Sequence, residues 1–150
     1  MIVQEGFSVP TFVSLEDARS FFSKDLFAMS NCMSLDALTE NGSVCSMEIT
    51  ERHRNAEGGL MGGAILALAD FAFAVAANNA YRPTVAQQVS LSFLNASSGS
   101  RLIAAAVCRK SGRTSCVYNV DITDDLGKDI AQAVFTGFKL SVRPSAPDAS

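Results

Sequence analysis

This 150-residue sequence predicts an α+β fold, a strongly curved antiparallel sheet wrapped round one long central helix. Three observations lead there. Residues 62–78 follow a helical pattern that is apolar on every side, and such a helix must be enclosed rather than laid on a surface. Four β-rich segments come after it, separated by short turn-forming connections. Before it, Asn41-Gly42 parts two more extended segments, the mark of a hairpin. No repeat or linker-like stretch divides the chain, and its length suits one domain. We place that domain at residues 1–143, with a mobile tail at 144–150 that lacks core-forming residues.

The elements follow in order. Ser14 can cap a helix at about 15–22, with Glu16 and Asp17 in its first turn and Phe21 and Phe22 on its apolar side. Residues 33–40 and 43–50 form the hairpin strands, and Asn-Gly supplies the positive backbone angles of a tight turn. Residues 51–55 are a polar connection into the glycines. The central helix starts at Gly62, stays slim through its alanines, and stops at Asn78, Asn79 and Pro83. Strands follow at 85–94, 102–109, 115–123 and 129–142. In the first of these Val89, Leu91 and Phe93 alternate with Gln88, Ser90 and Ser92.

Composition narrows the function. A net charge of −3 gives no global attraction to nucleic acid or to anionic membranes. Gly62 to Ala77 is shorter than the roughly 20 residues a membrane span needs, and Asp70 interrupts it. The N-terminus has neither the basic region nor the apolar run of a secretory signal. Cys32, Cys45, Cys108 and Cys116 lack metal-ligand spacing, so no metal is expected; they read as buried, reduced thiols of a cytoplasmic protein. The single histidine, His53, reads as a surface residue. No Walker or dinucleotide loop is present.

Chemistry concentrates in Asn55-Ala-Glu-Gly-Gly-Leu-Met-Gly-Gly-Ala-Ile-Leu-Ala-Leu-Ala-Asp70. Backbone amides at a helix start hold developing negative charge. A lone Asp amid Ala, Leu and Phe is costly to bury unless it is paired, hydrated or used. The two together point to acyl chemistry. Without chemistry, the glycines would serve tight helix–sheet packing, Asp70 a polar contact at a seam, and Asn55 a loop cap.

Asn55-x5-Met61-Gly62-Gly63-x6-Asp70 resembles the signature of hotdog-fold acyl-CoA thioesterases of the phenylacetate-degradation type. That family reads Asn, then His-Gly-Gly, then Leu-Ala-Asp on the central helix. The resemblance runs through residues 85–94 and 112–121 and covers roughly 33–142. It implies hydrolysis of an acyl-CoA thioester with an aromatic or medium-length acyl group, and no cofactor. By analogy Asp70 is the nucleophile or the general base, the Gly62 amide polarises the carbonyl, and Asn55 orients substrate or water. Met61 and Gly63 then border the substrate. The chain departs from the family at Met61, where a thioether replaces the usual His and can neither donate a hydrogen bond nor carry a proton. Some relatives carry Ser or Thr on the strand after the helix; here Ala86 and Gln87 stand there, and Gln87 or Gln88 is the candidate substitute. Arg109, Lys110 and Arg113, with Arg101 as a further candidate, form the best anion site for the phosphates of CoA; a solvated hairpin tip is the competing reading.

One inference is independent of the family. Asp70 lies eight positions after Gly62, about 12 Å along a single helix. If both act on one thioester they come from different subunits. This predicts an obligate homodimer, alone or as a dimer of dimers in a homotetramer. The alternative function is a non-catalytic or weakly catalytic hotdog protein that binds acyl-CoA, a reading carried by Met61.

Overall fold

The computed structural model describes residues 9–141 of the chain, so the expected tail at 144–150 lies outside the described residues. Helix α1 (Leu15–Phe22) starts where the Ser14 hydroxyl accepts the Asp17 amide at 3.1 Å. A second short helix, α2 (Leu26–Ser30), follows at once, capped by the Asp25 carboxylate on the Ala28 amide at 3.0 Å. Sequence reading missed it because five residues are too few to display a helical period.

Strands β1 (Met33–Thr39) and β2 (Gly42–Glu48) form the expected hairpin. The role of Gly42 differs from expectation. Its backbone is not in the positive-φ region; it is the first residue of β2, and the turn consists of Glu40 and Asn41. Glycine is required there by contact instead, since a Cβ would lie 1.7 Å from the Ala106 carbonyl oxygen on the neighbouring strand.

After a 3-10 turn (Glu51–His53), the chain enters α3 (Gly62–Ala80) and then β3 (Thr84–Phe93), β4 (Arg101–Ser111), β5 (Ser115–Asp124) and β6 (Asp129–Lys139). The helix outlasts its expected end by two residues. Asn78 does not stop it but fastens it: its side-chain amide donates to the Ala74 and Thr84 carbonyls, and its oxygen accepts the Thr84 amide at 2.9 Å.

The six strands form one antiparallel sheet in the order β1-β2-β4-β5-β6-β3, and every strand reaches α3, so the sheet curls round the helix. This is the hotdog arrangement. The 19 residues of α3 are long and apolar enough for a membrane span, but half-wrapping by the sheet makes it a core helix. Phe73 on α3 is the centre of that core. Its ring stacks on Phe135 at 4.8 Å and meets Tyr118 edge-on at 5.5 Å. Truncating it with Phe73→Ala is expected to cost about 3–5 kcal/mol, read as a lowered midpoint in urea unfolding with an unchanged slope.

The expectation for the cysteines is corrected in part. All four are free thiols, with Cys45 and Cys116 buried, but Cys108 is half-buried and Cys32 is exposed at the end of α2 with φ of 60°. A second correction concerns enclosure. The sheet buries Leu68, Ala69, Ala72, Phe73 and Ala76, yet Gly63 and Asp70 are exposed, and Leu66 and Ala67 between them are half-buried. One flank of the all-apolar helix is left open within a single protomer. Beside that flank runs β3, an outer strand of the sheet with Val85, Val89 and Phe93 exposed.

Candidate active site

The approach to α3 is built by a tight loop. Asn55 Oδ1 accepts the Glu57 amide at 3.0 Å and the Gly59 amide at 3.1 Å, and the Asn55 amide donates to the Gly59 carbonyl at 2.8 Å. Gly58 takes φ of +84°, which glycine adopts without strain. Arg54 and Leu60 then pair as an isolated bridge. The loop therefore returns the chain to Met61, the residue that caps α3.

Met61 has no side-chain group to cap with, and none is seen. Its carbonyl accepts the Ala64 amide at 3.0 Å, while the amides of Gly62 and Gly63 have no hydrogen-bond partner among the described residues. An uncapped helix start of this kind offers free N–H donors to a negative oxygen. The Met61 side chain is 52% exposed and leaves the amides open.

Gly62 opens into a cavity of about 540 Å³ bounded by Asn55, Leu60, Ile65, Phe93, Asn95 and Ser97. The Phe93 ring lies over Gly62 so closely that a Cβ there would come within 2.9 Å of Cζ. Ser97 is held in place by the carboxylate of buried Asp124, which accepts its hydroxyl at 2.7 Å and the Lys128 amide at 2.9 Å. These bonds, the Ser97 hydroxyl first, hold the Asp124 carboxyl below the usual carboxylate range. Sequence reading did not find Phe93 or the Ser97–Asp124 pair. Phe93 looked like any apolar residue on one face of an alternating strand, and the pair is 27 positions apart in sequence.

Asp70 lies in a different opening, of about 390 Å³, together with Gly63, Ala67, Gln87, Gln88 and Val89. Gln87 sits in a bulge of β3, where the register with β6 slips between Ala86 and Gln88. Bulges redirect side chains and occur beside reactive sites. Solvent reaches Asp70 in the single protomer, but its apolar flank partly desolvates it. That desolvation, with a smaller contribution from the Asp25 carboxylate, raises its pKa.

The basic residues lie elsewhere. Arg109, Lys110 and Arg113 are exposed round the β4–β5 connection. Arg113 borders a cavity of about 530 Å³ with Asn79 and Ala80, at the opposite end of α3 from Gly62. Arg101 sits beside Glu48, 3.6 Å away. One protomer thus joins Asn55 with Gly62, and Asp70 with Gln87 and Gln88, but does not bring those two groups together. Among the described residues no three His, Cys, Asp or Glu side chains gather as a metal site.

His53 is corrected outright. It is buried, with 2% of its surface exposed, at the end of the 3-10 turn. A lone histidine in a polar stretch carries no sequence signal of burial; only the docking of that turn reveals it.

Comparison with known proteins identifies the family and the fold. Residues 57–131, half of the chain, match the Thioesterase superfamily. The acyl-coenzyme A thioesterase PaaI of Escherichia coli is 28% identical over 117 residues, 77% of this chain and 84% of that protein. The structure of the E. coli PaaI protein from the phenylacetic acid degradation operon superposes with a TM-score of 0.79 at 25% identity, covering 84% of this chain and 92% of the other. A hypothetical thioesterase protein with coenzyme A from Streptococcus pneumoniae superposes with a TM-score of 0.74 at 26% identity, covering 83% and 98%. The chain belongs to the thioesterase superfamily, as a hotdog-fold thioesterase of the phenylacetate-degradation type.

Proposed function

We propose that the protein hydrolyses acyl-CoA thioesters as a homodimer, each active site combining Gly62 of one subunit with Asp70 of the other. The observation that carries this is the split site: amides at the start of α3 without a partner among the described residues and a carboxylate of raised pKa in a separate opening eight residues on. The open flank of α3 and the uncovered β3 strand supply the surface on which a second copy completes the sheet and places its Asp70 near Gly62. The similarity to PaaI and to the thioesterase with coenzyme A supports the substrate class.

In this reading the thioester carbonyl accepts the Gly62 N–H. Asp70 either takes a proton from water, whose oxygen then attacks the carbonyl carbon, or attacks that carbon itself. The resulting oxyanion is held by the amide; the C–S bond breaks; the departing thiolate is protonated. In the second route water then hydrolyses the acyl-Asp70 anhydride. Leu60, Ile65 and Phe93 give the acyl group an apolar wall. The basic hairpin takes the CoA phosphates: from Asp70 the helix end at Ala80 is ten residues on, about 15 Å, within reach of the pantetheine arm. The four cysteines, all free thiols, support a cytoplasmic setting.

The test is free-thiol release from a panel of aromatic and straight-chain acyl-CoA esters. Turnover of at least one ester class is expected. Tight acyl-CoA binding without turnover across the panel would favour the alternative that Met61 keeps open, an acyl-CoA-binding protein.

A further inference from the structure

We propose that His53 is a positioning residue for the thioester carbonyl, its backbone oxygen and buried ring together fixing the amide of Gly62. The proposal rests on the thioesterase reading for its consequence in turnover, and on geometry alone for the placement of the amide.

The backbone oxygen of His53 accepts the Met61 amide at 2.8 Å. The Gly62 N–H shares its peptide plane with the Met61 carbonyl, which the Ala64 amide holds at 3.0 Å; the bond from the Met61 amide to His53 fixes the other side of Met61, so His53 helps set where that plane stands. The ring holds His53 in that place. Its Nδ1 accepts the Thr50 amide at 3.0 Å, closing the 3-10 turn on itself in the manner of the backward half of a capping box. Outside the turn, the Arg52 guanidinium donates to the Ser30 carbonyl at 2.9 Å and pins the turn to the end of α2. The amide that binds the carbonyl is thereby tied through Met61, His53 and Thr50 to the folded body and not to the loop 54–60.

The ring chemistry fits this task. To accept from Thr50, Nδ1 must carry a lone pair, so the proton of the neutral imidazole resides on Nε2. Burial lowers the pKa of the ring, the Arg52 charge adds to this, and the Asn31 backbone opposes it. Nε2 is buried, and the ring's hydrogen bond with the Asn31 backbone is looser than the one at Nδ1. An apolar side chain in this place would not accept the Thr50 amide. The mechanism proposed above does not otherwise use His53.

Two variants separate the acceptor from the bulk of the ring. His53→Asn places an amide oxygen where Nδ1 stands; His53→Leu fills the space with no acceptor. A misplacement of a reacting group by an ångström costs about a hundredfold, so kcat of His53→Leu is expected to fall about tenfold to a hundredfold with KM within about twofold. His53→Asn should stay within about threefold of wild type on the same scale. Wild-type kcat in the Leu variant, equal losses in both variants, or a raised KM at constant kcat would each overturn the proposal. Amide hydrogen exchange needs neither a foldable Leu variant nor turnover. The Met61 amide should be protected in wild type and in His53→Asn, whereas Met61 exchanging as fast as Gly62 in wild type would overturn the placement. If wild type releases no thiol while Met61 is protected, the thioesterase reading fails and the placement stands.

Discussion

Asp70→Asn is expected to lower kcat for acyl-CoA hydrolysis by about 10²- to 10⁴-fold, the range typical of a lost general base or acid. The amide is nearly isosteric with the carboxylate, so acyl-CoA binding and the secondary-structure spectrum should be retained. Two further readouts follow from the environment of Asp70, which its apolar flank and then the Asp25 charge push toward the protonated form. The active form is the carboxylate. The acid limb of kcat/KM therefore lies above the ordinary Asp range of about 3.9, and activity is lost as pH falls through it. Asp25→Asn removes the neighbouring charge and should move that limb downward, while Asn still caps α2 at Ala28. The stability sign is the reverse of the usual carboxylate case. A carboxyl whose folded pKa is raised stabilises the fold when protonated; that contribution is complete below the unfolded pKa and is lost as pH rises through the folded one. Near neutral pH Asp70→Asn should therefore raise the melting temperature while it removes activity, as expected where a strained site is kept for function. Full hydrolysis by Asp70→Asn would remove Asp70 from the mechanism.

Two inactive variants, mixed, should regain activity. Gly62→Pro deletes the amide hydrogen at the first position of α3, where proline suits the helix. The preceding Met61 already has the extended backbone, φ −66° and ψ 126°, that proline imposes on its neighbour. The Phe93 ring must shift to admit the new atoms. Alone, this variant lacks the carbonyl donor in both sites of a dimer, and Asp70→Asn alone lacks the carboxylate in both. In a mixed dimer one site combines the Gly62 amide of the Asp70→Asn chain with the Asp70 of the Gly62→Pro chain. Random re-assortment makes half of the dimers mixed, each with one of two sites intact, so activity should return to about a quarter of wild type. No recovery after unfolding and refolding the mixture would place both groups in one chain, against the rise of about 12 Å that separates them along α3.

Most of the fold was legible because its signals are local. The apolar sequence from Gly62 onward marks a central helix regardless of context, and alternation through Val89, Leu91 and Phe93 marks a strand. What failed to show was the cause of individual residues. Gly42 is kept for the Ala106 oxygen facing it across β2 and β4, not for a turn angle. Asn78 lies inside α3 and bolts it to Thr84 rather than ending it. The five residues of α2 carry no periodic signal, although Asp25 within that region bears on Asp70.

The candidate site divides the same way. By itself the sequence determined the fold class, the Gly62–Gly63 helix start, the carboxylate two turns along, and the spacing that keeps them apart, because each depends on order along one helix. Tertiary structure decided that one flank of α3 is left uncovered, that Phe93 lies on Gly62, and that Asp124 anchors Ser97. It also decided that His53 is buried and accepts the Met61 amide, one residue before Gly62. These are contacts between residues distant in the chain. They are fixed by how the sheet curls and the turns dock, which no local pattern records.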